Sequence, residues 1–262
     1  MVTRRERMKV DKLAAISEIY NEFVENSMIC YTPSEFLTVD EMLVPFRGRC
    51  GFRMYMPVKP AKYGLKIQIL ADSKSHYMIN SEIYTGKRSD RSNLSIPTET
   101  VLRLVGPVVG TNRNITGDNW YTSMELTGEL LNRKLTYVGT VKKNKRFVPP
   151  EFLPCKKGEV ESSIFGFTST HTIVSHVPKK NKSVILLSTM HNDNVVDDSS
   201  KKPDIVLFYN DTKAGVDALD QKCATYSTSR RTRRWSMVIF HMILNVSAIN
   251  SRVIYQFAAE GK

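Results

Sequence analysis

Apolar and polar residues along this chain follow two periods, and the switches between them outline a mixed α/β protein. Leu13, Ile16, Tyr20, Phe23 and Val24 recur at three- and four-residue steps, which predicts a short amphipathic helix over 11–25. The turn signal Tyr31-Thr32-Pro33-Ser34 follows. An apolar run from Phe36 to Val44, closed by Pro45, then reads as a strand with Asp40 in its middle. Strand patterns near 53–58, 65–70 and 78–84 complete a β-meander, ended by Thr85-Gly86-Lys87. Ser95-Ile96-Pro97-Thr98-Glu99 is a helix entry, and Gly106-Pro107 stops that helix. Residues 114–120 read as a short strand running into Asp118. Thr122 and Glu125 have capping-box spacing for a helix that buries Leu126, Leu130 and Leu131. A strand is expected at 137–141, a hairpin at 171–177 and 183–189 around Pro178-Lys179-Lys180-Asn181, a strand at 205–209, and a helix from about Gly215.

The apolar run from Trp235 to Phe257 is long enough to cross a membrane, but His241, Asn245, Asn250, Ser251, Arg252 and Gln256 interrupt it. His241, Asn245, Arg252 and Gln256 fall roughly along one helical stripe, which predicts a helix packed on a core and no membrane partner.

Composition changes this picture in one respect. The formal net charge of +12 and a pI near 9.5 favour a polyanionic partner, nucleic acid before membrane. Cys30, Cys50, Cys155 and Cys223 are far apart, with no Cys-x-x-Cys, so neither a zinc finger nor a secreted disulfide scaffold is expected. The charged start MVTRRERMKVDK has no apolar core of a secretory signal. His76, His171, His176, His191 and His241 show no metal-ligand spacing. No Gly-x-Ser-x-Gly and no Gly-x-x-x-x-Gly-Lys occurs, so a serine-hydrolase nucleophile and a nucleotide cofactor are not expected.

The densest candidate chemistry lies in YNDTKAGVDALDQKCATYSTSRRTRRW, residues 209–235. Asp217 and Asp220 are three apart, so on a helix both face one object. Arg230, Arg231, Arg233, Arg234 and Trp235 follow. Acid on one face suits a divalent metal, and arginine beside an aromatic ring suits a phosphate backbone. The same residues also read as a solvated acidic face followed by a basic turn. With Asp40 in a strand and Asp118 at the end of another, the order of acids resembles that of an RNase H-like nuclease core: a mixed sheet flanked by helices. Phosphodiester chemistry of that kind uses two divalent ions about 4 Å apart, held by carboxylates on rigid elements.

Four stretches in order carry a family resemblance: LTVDEMLVPFRGRC (37–50), KPAKYGLKI (59–67), TGDNWYTS (116–123), and YNDTKAGVDALDQ with RRTRRWSM (209–221 and 230–237). Together they resemble the transposase domain of the piggyBac family from about Tyr31 to Tyr255. The resemblance implies an RNase H-like core with an irregular, β-rich insertion before the last catalytic helix. It implies Asp40, Asp118 and Asp217 as the catalytic, metal-holding acids, Asp220 as an accompanying ligand, and two Mg²⁺ or Mn²⁺ ions. It further implies action on double-stranded DNA in the nucleus: water nicks a transposon end, the freed 3′-OH attacks the opposite strand to form a hairpin, and joining follows at a TTAA target. A homodimer is a further possible partner. Arg47, Arg49, Arg53, Lys59 and Lys62 lie in the matching stretches and are candidate phosphate contacts, with Arg230, Arg231, Arg233, Arg234 and Trp235.

Three positions depart from the family pattern: Met42 stands where glutamine is frequent, Ala214 where glycine is, and Ser236 where proline is. None is an expected metal ligand. The expected organisation is an N-terminal helical remnant (1–30), a catalytic core in two parts (31–141 and 205–262), and an insertion (142–204) opening on the basic stretch 142–163. Lys142, Lys143, Lys145 and Arg146 there either line a DNA path or solubilise a loop. The N-terminal DNA-binding region and Cys/His-rich module of family transposases have no counterpart in these residues, so end recognition is expected to be missing. The alternative to an active core is a domesticated DNA- or chromatin-binding protein that keeps the fold without the chemistry.

Overall fold

The computed structural model describes residues 6, 7, 10–86, 93–153 and 159–260. The first five residues, Lys87 of the predicted Thr85-Gly86-Lys87 strand end, and Cys155 lie outside the described residues. The chain divides into two compact units, one formed by Met1–Pro33, Asp40–Arg91 and Gly215–Lys262, the other by Ser34–Val39 and Ser92–Ala214.

In the second of these units the sheet grows from the start of strand β1 (Phe36–Pro45). Residues 36–39 pair in parallel with β5 (Asn114–Gly117), and β5 pairs in parallel with β6 (Thr136–Thr140). Antiparallel neighbours follow in the order β9 (Lys182–Ser188), β8 (Thr172–Lys179) and β7 (Ser163–Phe167). β5 is buried along its whole length, as expected of a parallel strand covered on both faces. Helices α2 (Ile96–Leu104), α3 (Met124–Asn132) and α4 (Asp204–Thr212) complete the unit. Ile205 and Val206 of α4 pack with Val138, Val174 and Leu186 of the sheet.

In the other unit, β2 (Met54–Tyr55) and β4 (Met78–Ile83) both pair antiparallel with β3 (Tyr63–Asp72), which neighbours the end of β1. β1 and β3 approach closely at Gly64, where an added Cβ would come 2.4 Å from the Val44 carbonyl oxygen. Helices α1 (Ser17–Ile29), α5 (Gly215–Thr225) and α6 (Trp235–Glu260) enclose this sheet. Helix α6 is apolar enough over 25 residues to cross a membrane by composition. It places Ile239, Met242, Ile243, Val246 and Ile249 in one core with Tyr20 of α1, Leu65 and Ile67 of β3, and Leu219 of α5. Its buried Asn250 brackets the β4 backbone, accepting from the Met78 N–H and donating to the Met78 carbonyl, both at 3.0 Å.

The sequence expectations need five corrections. Residues 205–209 lie in helix α4 and not in a strand, because a short apolar run has no period that separates the two. The strand expected at 53–58 shrinks to Met54–Tyr55 as the chain turns through 56–62. Ser163–Phe167, read as irregular or left unassigned, adds the edge strand β7. Helix α1 begins at Ser17, after a run of turns over 12–16. The cap of α3 is Ser123, whose hydroxyl accepts from the Leu126 N–H, while Thr122 reaches back to the Asp118 carbonyl. Glu125 reaches instead to Ser95 and Thr98 at the start of α2, and those hydrogen bonds hold its carboxyl below the usual range.

Candidate active site

Asp40 follows directly on the buried apolar residues of β1 and is half-buried, with its Oδ1 accepting from the Glu41 N–H at 2.7 Å. Asp118 follows directly on β5 in the other unit. Its Oδ1 accepts from the Trp120 N–H at 2.8 Å, and its carbonyl from the Thr122 hydroxyl at 2.9 Å, so a tight turn holds it at the strand end. Val39 and Gly117 are register partners in the parallel β1–β5 pair, and each acid is the next residue in its chain segment. The carboxyl ends of parallel strands are where open α/β sheets bind ligands.

Thr212 ties the end of α4 to the sheet of its own unit. This buried residue ends α4, its carbonyl accepts from the Thr38 hydroxyl at 2.6 Å, and its hydroxyl meets that of Thr116 at 2.8 Å. Five residues on, Asp217 stands in the first turn of α5, and Asp220 one turn further along. The positive end of a helix favours a carboxylate in that first turn. The Asp217 side chain is 67% exposed, whereas Asp220 is half-buried. Burial raises the Asp220 pKa, the nearby Lys59 ammonium opposes that, and the Asp217 charge adds to it.

Lys59 is where these groups meet. Its Nζ donates to the Glu41 carbonyl at 3.1 Å and lies 3.9 Å from Asp217 Oδ1, with the side chain 20% exposed. The Glu41 side chain turns to another cation, Lys66 of β3, at 3.5 Å, and both are nearly buried. Lys59, Asp217, Asp220, Gln221 and Arg230 line a cavity of about 620 Å³ whose apolar wall includes Met42, Val238 and Met242. His241 also lines it, and its Nδ1 is buried with no hydrogen-bond partner among the described residues. Cys223 on the same wall is no nucleophile: burial, helped by the Asp220 charge, pushes its thiol up to about 12.

Among the described residues no group of three or more His, Cys, Asp or Glu side chains is arranged to hold a metal ion. The donors around Lys59 nonetheless fit a hard divalent cation. Two carboxylates and a backbone carbonyl are oxygen ligands, Mg²⁺ needs only one or two carboxylates because it keeps its waters, and an ammonium already stands among them as a cation.

A second cavity, of about 570 Å³, is lined by Arg47, Arg230, Arg231 and Arg233 with Pro45, Phe46 and Tyr63. All four arginines are exposed. Arg49, Lys62 and Arg234 are exposed too, outside that lining. Arg53 does different work: its guanidinium donates to the carbonyls of Arg47 and Gly48 at 3.0 and 3.1 Å and lies over the Tyr63 ring. Trp235 packs edge-on against Phe52, with ring centroids 5.1 Å apart. Arg53 and Trp235 thus shape the wall on which the other arginines stand. Sequence reasoning had no signal for Lys59 as the partner of Asp217, or for Glu41 as that of Lys66; both pairings arise from folding.

The other four histidines serve as hydrogen-bonding groups. His76 meets the Lys222 ammonium at 2.8 Å, and His171, His176 and His191 meet the hydroxyls of Thr127, Ser163 and Ser188.

Comparison with known proteins gives consistent results. The profile of a family described as Transposase IS4 matches residues 2–252. The human PiggyBac transposable element-derived protein 3 is 23% identical over 246 residues, covering 86% of this chain and 41% of its own length. The human chimeric ERCC6-PGBD3 protein has the same identity over 23% of its length. A cryo-EM structure of a piggyBac transposase synaptic complex with hairpin DNA superposes with a TM-score of 0.94 at 41% identity, over 99% of this chain and 55% of that one. The chain therefore spans about half, or less, of the length of these relatives.

Proposed function

The chain belongs to the Transposase IS4 family as a piggyBac-type member with an RNase H-like fold, and from that premise we propose that it is the catalytic core of a DNA transposase. In this reading Asp40, Asp118 and Asp217 are the catalytic acids and Asp220 accompanies them. The observation that carries it is the register of β1 and β5, in which Val39 is level with Gly117 and an aspartate follows each. The acid pair of α5, with the Lys59 ammonium 3.9 Å from Asp217, supports it independently.

The four acids would hold two Mg²⁺ or Mn²⁺ ions, which when bound supply Lewis acidity toward the attacking and leaving oxygens of a phosphodiester. The protein's own part is positional. Asp40 and Asp118 are braced by local backbone N–H donors, and Asp217 by a helix start, so each carboxylate keeps its orientation as charge develops on the phosphate. Arg47, Arg230, Arg231 and Arg233 bind phosphates of the DNA backbone on either side of the reacting one. Water first displaces the 3′-oxygen of one strand, leaving a 3′-OH and a 5′-phosphate. That 3′-OH then displaces the 3′-oxygen of the opposite strand and closes a hairpin, the DNA form in the solved relative. Joining to a TTAA target, dimerisation and action in the nucleus complete the proposal.

The test is nicking of supercoiled plasmid by the 262-residue chain in Mg²⁺ or Mn²⁺, with Asp217→Asn alongside. The expected result is weak, nearly sequence-indifferent nicking that chelator and Asp217→Asn both abolish. Retention on DNA with no Asp217-dependent nicking would make the chain a DNA-binding protein that keeps only the fold.

A further inference from the structure

We propose that Lys59 is an internal counter-cation, which holds the acid pair of α5 together without metal and leaves when a divalent ion arrives. The inference rests on the assignment of Asp217 and Asp220 as metal-holding acids. It starts from a mismatch between the position of the lysine and the needs of the fold. Lys59 comes from the turn between β2 and β3, where Lys59 N donates to the Met56 carbonyl and Lys62 N returns to the Lys59 carbonyl. That turn is closed by its own backbone. The side chain is not needed to close it, and Lys59 lines the 620 Å³ cavity.

There the ammonium has two oxygen neighbours, the Glu41 carbonyl at 3.1 Å and Asp217 Oδ1 at 3.9 Å, and Asp220 lines the same cavity. These are hard oxygen donors of the kind a divalent ion recruits. Ammonium and metal therefore compete for the same partners. At equal distance a divalent ion gains twice the Coulomb attraction of a monovalent one. The lysine is held by one hydrogen bond to a neutral carbonyl, that of Glu41, whereas its contact with Asp217 at 3.9 Å is an ion pair without a hydrogen bond, and its four-carbon stem is flexible.

Exchange has a second consequence. Lys59 shares its cavity lining with Arg230, which also lines the arginine cleft. An ammonium released from the acids adds its charge to that basic wall. Arrival of the metal thereby adds a positive charge to the side that receives phosphate, and loss of the metal returns it to the carboxylates.

The experiment measures Mn²⁺ affinity by calorimetry and amine labelling of Lys59 by peptide-level mass spectrometry with and without Mg²⁺, in wild type, Lys59→Met, Lys59→Arg and Asp217→Asn. Removing the ammonium that competes for the acids predicts about tenfold tighter Mn²⁺ binding by Lys59→Met, with Lys59→Arg close to wild type. Lys59 labelling should rise several-fold when Mg²⁺ is added, while exposed Lys143 stays constant. In Asp217→Asn it should already be high without metal. Unchanged or weaker Mn²⁺ binding by Lys59→Met overturns the inference. So does tighter binding with unchanged Lys59 labelling, which is a field effect without exchange. If wild type binds Mn²⁺ and Asp217→Asn does not, either failure leaves the acid assignment standing. If neither wild type nor Lys59→Met binds, the acid assignment falls and the inference with it.

Discussion

Replacing Arg47, Arg230, Arg231 and Arg233 together by alanine should change how salt controls DNA binding, by an amount that can be worked out from the cleft they line. All four are exposed and line one cavity, so each is free to neutralise a phosphate. Each phosphate contact releases counterions and contributes about 0.9 to the slope of log K against log salt. Loss of four contacts should flatten the slope by up to about 3.6. Between about 50 and 200 mM salt, wild-type affinity should therefore fall roughly 150-fold further than that of the variant. Arg53 is the internal control. It stands in the same basic stretch, but its guanidinium is used on the Arg47 and Gly48 carbonyls and the Tyr63 ring. Arg53→Ala should leave the slope nearly unchanged and lower stability through the loosened 47–53 turn. Fluorescence anisotropy with a short duplex at five salt concentrations measures both. A quadruple variant with the wild-type slope would refute the cleft as the phosphate-binding surface. An Arg53→Ala slope as flat as that of the quadruple variant would show that hydrogen-bonding geometry is a poor guide to which arginines are available.

Two further outcomes follow from buried polar groups. Glu41→Gln removes the Glu41 carboxylate 3.5 Å from the nearly buried Lys66, and should cost about 2 kcal/mol, less than the usual 3–5 for a broken buried pair because the contact is long. Glu41→Gln with Lys66→Met should recover most of that in denaturant melts, whereas simple additivity would show that the pair is not coupled. Burial lowers the pKa of His76, His171, His176 and His191, so below about pH 6.5 the folded protein binds fewer protons than the unfolded chain. Their contribution to stability is complete above that value and is lost as pH falls through the lowered pKa values. The melting temperature should drop from pH 7.5 to 5.5, and His176→Asn should make the drop shallower; a flat profile would contradict the burial assigned to these rings.

Helix period carried the chain-level reading well where the segment was long. The α6 pattern identified a core helix despite its overall apolarity, because His241, Asn245 and Asn250 interrupt it, and Asn250 is spent on Met78. It failed at 205–209, where five apolar and aromatic residues fit strand and helix alike. Packing decided there: as a helix, Ile205 and Val206 can pack against Val138 and Leu186 of the sheet. The capping box at Thr122 and Glu125 failed for a related reason. Local spacing allowed two hydroxyls to cap α3, and the carboxylate found three tertiary donors at Ser95 and Thr98 that outweigh a local one.

By itself the sequence determined the elements that carry Asp40, Asp118 and Asp217, because an apolar strand running into an acid and a glycine-led helix start are local patterns. It also determined that an arginine run follows them, and with the charge of the whole chain that pointed to a polyanion. Only the tertiary structure decided which cation meets which acid. Lys59 and Lys66 are seven residues apart in one basic stretch, yet one reaches the Glu41 carbonyl and Asp217 while the other pairs with the Glu41 side chain. Arg47 and Arg53 are likewise close in sequence, yet one lines the cleft and the other ties its backbone. Long charged side chains have no period and almost no conformational preference, and the energy of pairing them depends on distance and burial that no local pattern encodes.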